Sequence, residues 1–174
     1  MRFFDSSPRS LFLKAALAAA LLQGCASYDG RGLVAGSSTE ADVERIMGAP
    51  AEKLVTTGGE RVWFYPHAPM GRETHAVRIG PDGKVRAVEQ RLTEAFFAKV
   101  WSGTTTTREV RELLGPPNRV YHMRRQEREA WEYLYFNEML VPFIFYVQSS
   151  SDGVVREAFS IRDPSQDTPG SGYH

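Results

Sequence analysis

The chain holds one cysteine in 174 residues, Cys25. A single thiol builds no disulfide and no thiolate metal cage, so the fold must be held by its core. No charge of one sign dominates: 21 Lys and Arg balance 21 Asp and Glu. That balance gives no basic stripe for nucleic acid. Histidine is scarce, at His67, His75, His122 and His174. No two sit at i, i+4 and no His-Glu-x-x-His occurs, so no metal is expected. Serines are plentiful, but none stands in a Gly-x-Ser-x-Gly elbow, and there is no Gly-x-x-x-x-Gly-Lys-Ser/Thr phosphate loop. Glu40, Asp42, Glu44, Glu109 and Glu112 read as helix-face or cap carboxylates, not as an acid/base pair. The expectation is a protein that is not an enzyme, with no cofactor and no small-molecule substrate. After Cys25 no apolar run reaches the roughly 20 residues that a membrane-spanning helix needs.

What is present begins at the N-terminus. Arg2, Arg9 and Lys14 precede the apolar block Ala15 to Leu22, and small residues follow. This order is that of an export signal. Leu21-Leu22-Gln23-Gly24-Cys25 resembles the lipobox of bacterial lipoproteins, with Cys25 as the lipidated residue. That resemblance implies removal of residues 1–24, acyl chains on Cys25, and stable anchoring, since two lipid signals already suffice. Ala26 after the cysteine then implies the outer membrane, with the body facing the periplasm. The signal carries three basic residues and Asp5, so the mature part has 18 basic and 20 acidic residues.

An internal repeat sets the architecture. Gly36 to Pro50 recurs as Gly103 to Pro117 at a gapless offset of 67. Gly36, Thr39, Val43, Gly48 and Pro50 match Gly103, Thr106, Val110, Gly115 and Pro117. Further on, Trp63-x-Tyr65 answers Trp131-x-Tyr133, and Asp82-Gly83 answers Asp152-Gly153. In each copy Thr39 with Asp42, and Thr106 with Glu109, fit a capping box. Val43, Ile46 and Met47 form an apolar stripe, repeated by Val110, Leu113 and Leu114. Gly48 and Gly115 then suit a left-handed C-terminal residue, and Pro50 and Pro117 stop the helix. A helix of about nine residues is not stable alone and must pack on a partner.

That partner reads as a sheet. Strands are expected at 60–66, 74–79 and 84–92 in the first copy, with a turn at Gly80-Pro81-Asp82-Gly83 and a bulge near Arg86 and Ala87. The second copy gives strands at 119–123, 129–136, 143–148 and 154–161. Thr93 is placed to cap a helix over 94–100 with an apolar face of Phe96, Phe97 and Val100. Its counterpart before Gly36 is short and glycine-rich, so that helix is expected frayed or absent.

The pattern Gly-x-x-Thr-x-x-x-Val-x-x-x-Leu/Met-Gly-x-Pro, then Trp-x-Tyr, then an Asp-Gly hairpin, resembles the SmpA/OmlA (BamE-like) family of outer-membrane lipoproteins, in tandem. The resemblance implies an α+β fold in which a short helix pair packs on a small antiparallel sheet in each copy. In tandem it is similar to the β-lactamase inhibitory protein fold. The expected organisation is a signal peptide (1–24), a tether (25–32), two repeats (33–92 and 93–162) and a disordered polar tail (163–174).

Two features suit binding. Arg119, Arg124, Arg125 and Arg128 cluster before the Trp131 strand, as a solvated hairpin tip or as a contact for anionic headgroups or an acidic partner. The stretch from Trp131 to Val147 is unusually aromatic. One sheet face can lie under the helices, yet the other still receives Leu134 and Phe136. It also receives either Ile144 and Tyr146 or Phe143 and Phe145. A sheet covered on one side should alternate apolar with polar. The second face is therefore expected to pack on the other copy or to meet a partner protein. Candidate partner contacts are Leu134, Phe136, Ile144, Tyr146, Arg124, Arg125 and Arg128. The family resemblance implies a protein–protein interaction module in outer-membrane assembly or envelope integrity, with β-barrel assembly components as possible partners. The alternative is an inhibitor that caps a periplasmic or secreted enzyme on a concave surface made by two sheets side by side.

Overall fold

Each threonine of the repeat starts a helix. In the computed structural model, which describes residue 27 and residues 29–166, Thr39 is extended and opens α1 (Glu40–Met47). Its hydroxyl accepts from the Asp42 N–H at 3.3 Å, and the Asp42 carboxylate accepts from the Thr39 N–H at 3.0 Å. Thr106 and Glu109 repeat the capping box at the start of α3 (Thr107–Leu114), at 3.3 and 2.7 Å. Both helices end at a glycine of positive φ, Gly48 at 79° and Gly115 at 82°. Their ψ values of −164° and −166° lie outside the left-handed helical region that the sequence suggested. That corner of backbone space is in practice glycine's alone.

A four-stranded antiparallel meander follows each helix. The first is β1 (Glu52–Val55), β2 (Arg61–Pro66), β3 (Thr74–Ile79) and β4 (Val85–Gln90). The second is β5 (Arg119–Met123), β6 (Arg128–Phe136), β7 (Pro142–Ser150) and β8 (Val155–Arg162). The expected bulge is present: Arg78 pairs with Ala87 and Ile79 with Val85, leaving Arg86 as the extra residue. The second sheet repeats it at Arg156. Each bulged arginine turns back to its hairpin aspartate, Arg86 to Asp82 at 3.0 Å and Arg156 to Asp152 at 2.5 Å.

The expected α+β fold, with a helix pair on a small sheet in each copy, is overturned. The chain is mostly β. Among the described residues each sheet carries one eight-residue helix, and the remaining α-helix, α2 (Glu94–Phe97), is a single turn. Two local causes act. Gly30, Gly32 and Gly36 all take positive φ, which rules out a helix over the stretch just before α1. Thr93 makes no side-chain cap, and beyond Phe97 the bonds tighten to i→i−3, from Lys99 to the Phe96 carbonyl at 3.1 Å and from Val100 to the Phe97 carbonyl at 2.9 Å, so α2 is confined to one turn. The sequence reading also missed β1, whose four residues alternate only between half-buried and exposed.

Cores lie on the helix side of each sheet. Val43 and Met47 of α1 press on Trp63, Tyr65, Val77, Ile79 and Val85. Val110 and Leu114 of α3 press on Trp131, Tyr133, Phe145, Val147 and Val155, with Phe97 stacked on Phe145 at 4.1 Å. The opposite face of the first sheet, formed by Val62, Phe64 and Ala76 with Leu54, is buried as well. It lies against α3. Phe64 sits so close to Gly115 that a Cβ there would approach its ring to 2.5 Å. Arg111 reaches Glu52 at 2.8 Å, and Glu112 accepts from the Thr57 N–H at 3.0 Å. Buried Arg91 pairs with Glu89 at 2.9 Å and donates to the Leu113 carbonyl at 3.4 Å. The order of layers is therefore α1, first sheet, α3, second sheet. The copies stack rather than stand side by side, so the concave double sheet expected of an inhibitor is not formed.

Residues 1–24, Cys25 and most of the expected tail lie outside the described residues. Part of the expected tether is packed on the first copy: Gly30 is buried, and the Ser27 N–H donates to the Ile46 carbonyl at 2.9 Å. Asp163, at the head of the expected tail, is buried and ion-paired with Arg72. No helix among the described residues is long and apolar enough to cross a membrane.

Candidate functional site, the outer face of the second sheet

Equivalent positions of the two sheets can be aligned by register. Trp63 faces Lys53 and Val77, and Trp131 faces Val120 and Val147. Phe64 and Ala76 on the outer face of the first sheet thus correspond to Glu132 and Tyr146 on the second. The first face is covered by α3. Among the described residues the second is left exposed at Tyr121, Phe159 and Ile161, and Arg72, from between β2 and β3, reaches only its Phe136 end, 5.6 Å from that ring.

Pairing lays this face out in rows. One row runs Arg119, Glu132, Tyr146, Phe159. The next runs Leu134, Ile144, Ile161, and the last is Phe136 beside Pro142. Tyr121, Phe136, Phe159 and Ile161 are exposed, which is costly for large apolar side chains that gain nothing in the isolated fold. Tyr146 and Phe159 rings lie 5.8 Å apart.

A carboxylate occupies the middle. Glu132 is 5% exposed, deep for an acid. It is satisfied by three donors: the Asn118 amide at 2.7 Å, the Tyr121 hydroxyl at 2.7 Å and the Tyr146 hydroxyl at 3.3 Å. Arg119 donates to the Tyr121 hydroxyl at 3.2 Å. Burial, followed by the Glu132 charge, pushes the Tyr146 phenol up to about 12. Buried acids need partners, and here the partners fix two aromatic rings in place at the surface.

The sequence candidates divide. Leu134, Phe136 and Tyr146 lie on this face, which settles the period in favour of Ile144 and Tyr146 over Phe143 and Phe145. Ile144 is only 7% exposed, so it is the floor of the surface. Arg128 shares the face but is committed to Glu157 at 2.7 Å and Gln148 at 3.3 Å. Arg124 and Arg125 are exposed on the one-turn 3₁₀ helix Arg124–Gln126 that joins β5 to β6. They sit at the end of the sheet away from Leu134 and Phe136. Sequence reasoning missed Tyr121, Glu132, Phe159 and Ile161. Tyr121 was visible as an aromatic residue in an expected strand, and Phe159 and Ile161 as an i, i+2 pair in the last one. Glu132 carried no signal.

The described histidines do not converge. His75 is half-buried on β3, where burial pushes its pKa down, and His122 is exposed on β5 with Nδ1 3.2 Å from Glu129. They belong to different sheets, and His67 lies in the loop after β2. No group of three His, Cys, Asp or Glu suited to a metal ion occurs among the described residues. The concavity between the β5–β6 and β7–β8 turns mixes Arg124, Arg128, Glu127 and Glu129, a solvated ionic surface.

A scan of family models and searches of curated proteins and solved structures find no match to the chain. The functional reading therefore rests on the residues themselves.

Proposed function

We propose that this chain is a lipid-anchored outer-membrane protein, facing the periplasm, that works by docking other envelope proteins on the outer face of its second sheet. One contrast carries the reading: two equivalent faces exist, one sealed by a helix of the neighbouring copy and one bare except where Arg72 meets its Phe136 end. The bare face keeps the large apolar side chains of a covered surface while losing the cover. An aromatic core with polar edges is also the composition of protein contact surfaces, where Tyr, Trp and Phe concentrate binding energy. Arg119 and Glu132 at its centre supply charge for orientation. The lipobox-like run at Cys25 supports the anchor, and the motif resemblance to SmpA/OmlA lipoproteins supports a task in outer-membrane assembly or integrity.

The test pairs Phe159→Glu with Ile161→Glu. Both side chains are exposed, so the fold should hold. Cells carrying the double variant should become as sensitive to large antibiotics as a deletion strain, with the protein still folded and membrane-bound. Full protection by the double variant would remove this face from the function.

A further inference from the structure

The stretch read as a tether leaves almost no slack. The Ser27 N–H donates to the Ile46 carbonyl at 2.9 Å, at the C-terminal end of α1. Ala26 alone separates Ser27 from Cys25. Whatever path the chain takes, two Cα–Cα steps of about 3.8 Å keep Cys25 within about 7.6 Å of Ser27. An acyl anchor on Cys25 thus holds this end of the body against the bilayer, not away from it.

The same end carries two connections. The β2–β3 loop (67–73) and the β6–β7 loop (137–141) both leave their sheets there, because each α-helix C-terminus and the following first strand begin beside them. The entering chain is packed there: a Cβ on Gly30 would meet Met47 Sδ, at the C-terminal end of α1, at 3.3 Å and Val88 Cγ1 of β4 at 3.0 Å. Arg72 ties the first loop to the same end of the second sheet, beside the second loop: it donates to the Phe143 carbonyl of β7 at 3.2 Å, pairs with Asp163 after β8 and lies 5.6 Å from the Phe136 ring of β6.

The tips are apolar and bare. Met70 is 94% exposed, Met139 79% and Leu140 77%. Leu140 also takes φ +58°, a left-handed conformation that costs a branched residue stability. Asn137 holds it there: its side-chain oxygen accepts from the N–H groups of Met139 (3.1 Å) and Val141 (2.8 Å), and its carbonyl accepts from the Leu140 N–H (2.9 Å). An ordered turn that spends strain to present two apolar side chains to water has its return outside the chain. Neither loop contains a lysine, and the one arginine is paired with Asp163; Glu73 and Glu138 are exposed. The surface suits the apolar boundary of a bilayer, not anionic headgroups.

The geometry points to a bilayer-facing end: Met70, Met139 and Leu140 rest in the surface of the membrane that holds the Cys25 anchor. This rests on the anchored reading above. It fixes the orientation of the body, with Arg124 and Arg125 at the far end of the strands, pointing away from the membrane.

The test uses the mature lipidated protein in vesicles of phosphatidylcholine and phosphatidylethanolamine. Single cysteines replace Met70, Met139 or, as a control, Arg125, and each carries an environment-sensitive fluorophore. Glu138→Cys reports from the same turn should Met139→Cys disturb it. Labels at 70, 138 and 139 should brighten, shift to the blue and be quenched by lipids bearing a quencher below the headgroup, independently of salt. The label at 125 should do none of these. Protein that floats with vesicles while its tip labels stay water-like would overturn this inference and leave the anchor intact. Protein that does not float, with an unmodified N-terminus, would overturn both.

Discussion

Replacing Gly115 with alanine should measure how tightly the two copies are stacked. Two costs arise. Gly115 has φ 82° and ψ −166°, where any Cβ is strained by about 1–3 kcal/mol. The new methyl would also meet Phe64 Cδ1 at 2.5 Å and Cγ at 2.9 Å. Phe64 is fully buried on the first sheet and cannot swing away, so overpacking adds about 1–3 kcal/mol. The total is about 2–6 kcal/mol. Gly103→Ala separates the parts: it has φ 83° and nothing within 4 Å of the place its new methyl would take, so only the strain of about 1–3 kcal/mol applies. Urea unfolding followed by tryptophan fluorescence gives both values. Phe64→Leu should then recover part of the loss in the Gly115→Ala background, with a coupling of about 0.5–3 kcal/mol. Equal destabilisation by the two alanines, with no coupling to Phe64, would refute the packing of α3 on the first sheet.

Other consequences are simpler. Trp63→Ala and Trp131→Ala, both in the cores, should each cost about 3–5 kcal/mol in the same assay. Thr39→Ala and Thr106→Ala should each remove about 1 kcal/mol through the lost caps. Hydrogen bonds from Arg45 and then Thr39 hold Asp42 at about 2, below its ordinary 3.8. A depressed carboxylate stabilises the fold above its unfolded value and loses that contribution as pH falls, so melting temperature should decline between pH 3.8 and about 2. Asp42→Asn should flatten that decline. Cys25→Ser should leave the precursor uncleaved by the lipoprotein peptidase, as read by its mass.

Much of the local grammar was legible in sequence. Caps at Thr39 and Thr106, the strand of Thr74 to Ile79 and the bulge at Arg86 follow from short-range chemistry that operates within a few residues. What failed was where local signals were weak or the cause lay far along the chain. β1 has only four residues, and its order Glu-Lys-Leu-Val does not alternate polar with apolar, although its burial does. α2 carries an apolar stripe, but its threonine never closes the cap. The covered face of the first sheet was invisible because its cover is α3, some 50 residues on, whose closing Gly115 lets Phe64 approach closely. Glu132 shows the same limit: only cross-strand register reveals that its partners are Asn118, Tyr121 and Tyr146.

The central claim is that the bare face of the second sheet is where partners dock. Photo-crosslinking in intact cells tests it directly, with a benzophenone amino acid placed at Phe159 or, for comparison, at exposed Glu44 on α1. The expected result is a discrete adduct with an envelope protein from position 159 and none from position 44. Adducts from 44 alone, or none from 159 with the protein folded and anchored, would contradict it.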